Sequence, residues 1–241
     1  FRRELCGNRF KEISRIGKLL IFTLERNHRY LLIHLKMTGQ LIYCSQDLVI
    51  AGGHSRPAPA GLPKLKDGLP NKYSRAVFYF ADKSALFFND QRTFGYLKIV
   101  DKKELDKVTA RFGLDPLSRG LELESLYKIF HNRKAAVKAL LLNQGLLAGI
   151  GNIYADEILF AAGISPDRRG GTLKPAEVGR IAEAIKAILN KAIKYRGTTF
   201  NDYVDASGHQ GGFLKMLKVY GRGGKPCRRC GGPIAKKKIA G

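Results

Sequence analysis

Apolar residues change their spacing once along this chain, near Asp101. Before it they come in short runs dense in branched and aromatic side chains; after it they recur at three and four. KLLIFTLE (18–25) and RYLLIHLK (29–36) flank Arg26-Asn27-His28, which has turn chemistry, so the pattern predicts a hairpin that GQLIY (39–43) continues. RAVFYFA (75–81), SALFFND (84–90) and FGYLKIV (94–100) predict three more strands, giving a two-layer antiparallel sandwich of about six strands or more. Residues 45–74 are so rich in Gly and Pro that they predict an exposed, mobile insertion with no core element.

Beyond Asp101, residues 101–113, 121–133 and 134–144 are helical by period. The clearest helix covers 174–195, where Val178, Ile181, Ile185, Ile188, Ala192 and Ile193 recur at three and four, Pro175 suits the first turn and Gly197 the stop. Within 143–163, NQGLLAGIGNIYADEILFAAG, three glycines interrupt an apolar run. The stretch predicts a helix, a tight turn and a second helix starting at Asn152 as N-cap, with free N–H groups that suit an anion such as a phosphate. A plain helix-turn-helix junction fits the same residues. A dinucleotide fingerprint fits poorly, because Tyr154 stands where a third glycine is needed and a helix-like run comes first. The organisation predicted is α+β: a β-sandwich lobe (1–100), a helical domain (101–218) and a basic, glycine-rich tail (219–241).

Charge narrows the function. Lys and Arg number 43 against 20 Asp and Glu, a formal net charge of +23. Such an excess costs self-repulsion unless a polyanion is the partner, and nucleic acid is the commonest one. No apolar run approaches a membrane span and no basic-apolar-small signal opens the chain, so the expectation is a soluble, cytoplasmic protein without a membrane partner. Cys6 and Cys44 stand alone. Cys227 and Cys230 form C-R-R-C before Gly-Gly, a knuckle that offers zinc two thiolates. No Cys or His follows to complete four ligands, so the pattern is half of a zinc finger; a redox pair lacks its usual strand-helix setting.

RIGKLLIF (15–22), HLKMTGQL (34–41), NDQRTFG (89–95), LLAGIGNIYADEILFAAGISP (146–166), GTTFNDYVDASG (197–208) and VYGRGGKPCRRCGGPI (219–234) together, and in this order, resemble the bacterial formamidopyrimidine-DNA glycosylases. The resemblance implies a base-excision repair enzyme, acting as a monomer on duplex DNA held between a β-sandwich lobe and a lobe with a helix-two-turn-helix and a zinc finger. An oxidised purine, such as 8-oxoguanine or a formamidopyrimidine, is flipped out and excised. An amine attacks the sugar C1′, and β,δ-elimination then breaks the backbone at the resulting abasic site. The matching positions assign Asn152 and Lys18 to phosphates, Lys18 near the catalytic centre, and His34 and Tyr220 to the DNA backbone. Met37, Arg92 and Phe94 are assigned to the void left in the stack, and Asp205, Ser207, His209 and Phe213 to a loop over the extruded base. Cys227 and Cys230 become zinc ligands.

Departures from the family pattern bear on these expectations. The family's nucleophile is an N-terminal proline followed by a glutamate, on a helix ahead of the first strand; no such pair occurs here, and the reading is of a member lacking both ends. The second C-x-x-C and the finger's arginine have no match. His209 replaces a usual lysine, and Lys36 a usual small residue beside Met37. Two alternatives stay open: an endonuclease VIII type acting on oxidised pyrimidines, against which Arg92-Thr93-Phe94-Gly95 speaks, and a damaged-DNA-binding protein without catalysis.

Overall fold

A computed structural model of the chain describes residues 1–54, 68–118, 121–195, 197–198, 203–204 and 212–239. Two compact units result. One takes Phe1–Lys103 with Ala192–Lys215, the other Glu104–Lys191 with Met216–Gly241.

In the first unit a single helical turn, α1 (Arg2–Leu5), leads into β1 (Phe10–Ile16), β2 (Leu19–Leu24), β3 (Tyr30–His34), β4 (Gly39–Cys44), β5 (Val49–His54), β6 (Ser74–Tyr79), β7 (Ala85–Asp90) and β8 (Tyr96–Val100). A short strand far along the chain, β9 (Tyr203–Val204), joins them. The sheets are ordered β1-β2-β3-β8 and β6-β7-β4-β5-β9, with antiparallel pairing throughout. The predicted hairpin forms in register, Leu19 opposite His34 and Thr23 opposite Tyr30. Between the sheets, Phe22, Leu31 and Ile33 of the first pack with Phe88 of the second. Each such burial stabilises by ~1.5–3 kcal/mol. Strand β7 is a continuous apolar run because both its faces are covered: Phe88 enters that core, while Phe87 packs with Ile42, Cys44 and Ala51 on the other side.

Two expectations are corrected here. The stretch 45–74 was expected to hold no core element, yet Val49–His54 is a strand along β4, with Ala51 buried. Its ladder hydrogen bonds and the burial of Ala51 outweigh the low strand propensity of Gly52 and Gly53. Residues 55–67 of that stretch lie outside the described residues. A helix was expected to be missing before the first strand, whereas one turn is present at Arg2–Leu5, tied to the β2–β3 turn through Asn8 and Asn27.

The second unit is helical: α2 (Lys102–Thr109), α3 (Leu123–Phe130), α4 (Val137–Leu142), α5 (Asn152–Ala162) and α6 (Pro175–Lys194). The apolar faces of α3 to α6 meet in one core that includes Phe130, Leu141, Ile150, Ile158, Ile181 and Ile185; Ile193, in the apolar repeat of α6, is exposed instead, because it lies past the end of that core. Pro175 opens α6, and the N–H of Gly197 returns to the Ala192 carbonyl at 2.8 Å. At the start of α6 Glu177 accepts the Lys174 N–H at 2.9 Å and a two-pronged bond from Arg168 at 2.6 and 2.8 Å. The turn between α4 and α5 depends on Gly149, at φ +100°, and on Gln144. The Gln144 amide donates to the carbonyls of Leu142 and Ile150 and accepts the Gly149 N–H.

One carboxylate fixes the tail to this unit. Glu157, in the middle of α5, is 1 % exposed, and it accepts the backbone N–H groups of Lys218, Val219 and Tyr220 at 2.9–3.0 Å. The tail then folds back on itself, Cys227 N–H to Gly232 O and Ile234 N–H to Lys225 O. Arg229 holds it further, its guanidinium 4.3 Å from the Phe160 ring centroid and bonded to the Phe160 carbonyl.

Glu157→Gln would turn an amide NH2 toward a buried N–H and should cost about 2 kcal/mol in denaturant unfolding. A loss under a few tenths would mean that the three N–H groups find other acceptors. Arg168 first, and then the Lys174 N–H, lower the Glu177 pKa to about 2. A depressed carboxylate pKa stabilises fully above the ordinary glutamate range and ceases to do so as pH falls toward 2. The stability gap between the wild type and Glu177→Gln should therefore be largest at neutral pH and close between pH 4.5 and 2. A gap independent of pH would refute the pairing.

Candidate nucleic-acid interface

Most residues singled out on the sheet unit gather at one end of its strands. Lys18 follows Gly17 at the β1–β2 turn. Its side chain reaches solvent, yet the chain packed around it desolvates the ammonium enough to lower its pKa, and no acidic partner stands beside it among the described residues. His34 closes β3, opposite Leu19 on one side and Tyr96 on the other. Its Nδ1 accepts the Lys36 N–H at 3.0 Å. The neutral ring must then carry its proton on Nε2. Partial burial, followed by the charges of Lys36 and Lys18, lowers the His34 pKa to about 4, so the ring is neutral at physiological pH.

Beside it, two large apolar side chains stand in water: Met37 is 56 % exposed and Phe94 51 %. Arg92 joins them, its guanidinium 4.6 Å from the Phe94 ring centroid and its Nη1 3.7 Å from the Met37 sulfur. The core position that the strand pattern allows for Phe94 is therefore not taken.

What holds this group is Asp90, the buried last residue of β7. One of its oxygens accepts the Thr38 hydroxyl and the Arg92 N–H, the other the Gly95 N–H at 2.7 Å. Burial alone would raise its pKa, but the bonds from Thr38, Gly95, Arg92 and Thr93 outweigh it and leave the group an anion below its ordinary value. Gly95 has no alternative, since a Cβ there would lie 2.8 Å from the Phe88 ring. The loop is strained as well: Thr93, β-branched, sits at φ +56°. Asp90 went unnoticed in the sequence, where the only signal was an acid ending an apolar strand.

On the helical unit the structure moves Asn152 by one position. It was expected to be the N-cap of α5; the N-cap is Gly151, extended at φ −118° and ψ 177°, and Asn152 is the first helical residue. Its exposed side chain makes no capping bond, and the N–H groups of Asn152 and Ile153 meet no protein acceptor among the described residues. An anion-sized set of donors is thus left at the start of an eleven-residue helix. Tyr220, half-buried, is fixed on the same unit by Glu157. Lys138 and Asp156, both missed in the sequence, form a largely buried ion pair at 2.8 Å between α4 and α5.

Cys227 and Cys230 lie on the predicted tight turn. The Cys227 sulfur accepts the Arg229 N–H, and this bond, then that of the Cys230 N–H, lowers its pKa toward the thiolate that a metal needs. Among the described residues no set of three or more potential metal ligands forms. Asp205, Ser207 and His209 lie outside the described residues. Phe213, expected on the same loop, is a buried anchor instead, 1 % exposed, with its N–H on the Gly197 carbonyl. No helix among the described residues is long and apolar enough to cross a membrane.

Comparison with known proteins agrees with this layout. Residues 1–97 match the model of the formamidopyrimidine-DNA glycosylase N-terminal domain, and residues 112–204 that of the formamidopyrimidine-DNA glycosylase H2TH domain. The chain is 37% identical to the formamidopyrimidine-DNA glycosylase of Pelotomaculum thermopropionicum, over 100% of this chain and 80% of that one. It is 39% identical to that of Desulfitobacterium hafniense, over 100% and 81%. Among solved structures, a Lactococcus lactis Fpg mutant in complex with Fapy-dG-containing DNA superposes with a TM-score of 0.82 at 29% identity, covering 99% of this chain and 80% of that one. The Thermus thermophilus MutM (Fpg) protein gives 0.79 at 33%, covering 97% and 79%. Two family models that between them span most of the chain, and relatives matched along its whole length, establish that it belongs to the formamidopyrimidine-DNA glycosylase family.

Proposed function

We propose that this chain binds duplex DNA carrying an oxidised purine and holds the lesion flipped out for excision in base-excision repair, within a cytoplasmic protein working on nucleoid DNA. The observation that carries the reading is the Met37–Arg92–Phe94 group, two exposed apolar side chains and a guanidinium fixed from below by one buried carboxylate. Apolar wedges gain from leaving water for a base stack, and a guanidinium offers donors to the base left without a partner. Solved relatives with Fapy-dG-containing or abasic-site-containing DNA support the substrate class.

Each remaining residue has a physical task in this reading. Asn152, with the two free N–H groups at the start of α5, holds a phosphate beside the flipped nucleotide. Lys18 and the Nε2–H of His34 hold others, and Tyr220 adds a backbone contact. Cys227 and Cys230 supply zinc with two thiolates, and the metal fixes the turn they sit on. In the chemistry itself an amine lone pair attacks C1′, the base leaves with the bonding electrons, and an imine links enzyme and sugar. Loss of the C2′ proton then expels the 3′ phosphate, and a second elimination the 5′ phosphate. The family resemblance assigns that amine to a proline absent from these 241 residues.

Asn152→Ala should weaken binding to lesion and undamaged duplex alike, by roughly tenfold, the value of one charge-assisted phosphate contact. Unchanged anisotropy titrations would remove Asn152 from the interface. Borohydride reduction in the presence of a duplex with 8-oxoguanine opposite cytosine tests the chemistry. Binding without a covalent adduct is expected of these 241 residues; an adduct would assign imine formation to Lys18 or the Phe1 amine.

A further inference from the structure

Lys36 is placed in a way that its position in the chain does not require. It sits at φ +50°, a region that favours glycine, in the loop between β3 and β4, and its side chain is exposed. Its backbone N–H is the group that fixes the His34 tautomer, at 3.0 Å. Its ammonium lies 5.9 Å from the ring centroid of Tyr96, which is 39 % exposed and stands directly across from His34 on β8. The Tyr96 and His34 rings are stacked, centroids 5.8 Å apart at 28°. Neither Lys36 nor Lys18 has an acidic partner among the described residues, and both charges reach His34. Lys36 over the Tyr96 ring, the stacked His34 with its fixed Nε2–H, and Lys18 one residue before Leu19, the cross-strand partner of His34, thus share one end of the strands, and the Lys36 backbone is strained.

We propose that Lys36 and Tyr96 form an additional contact with the DNA backbone, in which the Lys36 ammonium, braced on the Tyr96 ring, neutralises one phosphate next to those held by Lys18 and His34. The inference rests on the DNA-binding reading above. The ring does two things for the contact. It limits the rotamers that a long side chain would otherwise lose on binding, and its face attracts the ammonium without neutralising it, as a carboxylate would.

Lys36→Gly separates the proposal from a structural role, because the two predict opposite signs. Glycine suits φ +50° and keeps the N–H to His34, so the thermal midpoint should stay level or rise. Affinity should fall about five- to tenfold on a duplex with a tetrahydrofuran abasic analogue and equally on its undamaged counterpart. The slope of log Kd against log salt should drop by about 0.9, one phosphate's worth. Tyr96→Leu should reproduce part of that loss and add little in the Lys36→Gly background. Asn152→Ala, measured on the same duplexes, is the reference. An unchanged slope and affinity for Lys36→Gly beside a loss for Asn152→Ala would overturn the Lys36 contact and leave the DNA reading standing; unchanged values for both would overturn both.

Discussion

A buried carboxylate that accepts only backbone N–H and hydroxyl donors is a rigid joint, and the sheet unit has one where its exposed group is mounted. Asp90 joins two loops between strands already paired at His34–Tyr96 and Gly39–Asp90: the 91–95 loop through the N–H groups of Arg92 and Gly95, and the β3–β4 loop through Thr38. Each donor satisfied inside the fold would cost ~1–3 kcal/mol if left bare, so the three bonds together set the loops' relation firmly. Met37 and Phe94 can then remain in water. Left to themselves, two such side chains would collapse onto the nearest apolar surface, but Thr93 at positive φ and Gly95 against Phe88 leave the loop no slack to do so.

The helical unit uses the same device for a different end. Glu157 gathers three consecutive N–H groups from a segment about sixty residues away, and so sets Tyr220 on the helix that begins at Asn152. Neither carboxylate faces a basic side chain in these bonds. That matters in a chain with 43 basic residues and 20 acidic ones: acids spent on backbone donors do not cancel surface cations. Among the described residues neither Lys18 nor Lys36 meets an acidic side chain, while Asp90 is engaged by Thr38, Arg92 and Gly95.

The strands and α6 are legible in the sequence because their apolar residues repeat at a period that only one geometry satisfies, as in 18–25 and in Val178 to Ala192. Strand β5 is not, since Gly52 and Gly53 read as turn residues and pairing with β4 and β9 overrides them. Asn152 missed its place by one residue because the N-cap is set by the extended backbone of Gly151, which no side chain announces. Asp90 and Glu157 are illegible for a deeper reason. Their partners are main-chain atoms, present at every position, so the identity of the acceptor carries no hint of which donors it will find.

The one-residue shift at Asn152 alters what the helix start can do. As an N-cap, Asn152 would spend its side-chain oxygen on the N–H of the second or third helical residue, and the site would lose a donor and gain a filled valence. As the first helical residue it leaves its own N–H and that of Ile153 open among the described residues and adds its side-chain amide beside them. Glycine at the N-cap costs only a few tenths of a kcal/mol relative to the best cap. The fold therefore gives up little stability to keep a set of donors facing outward, and that exchange is advantageous only where an anion comes to complete the cap.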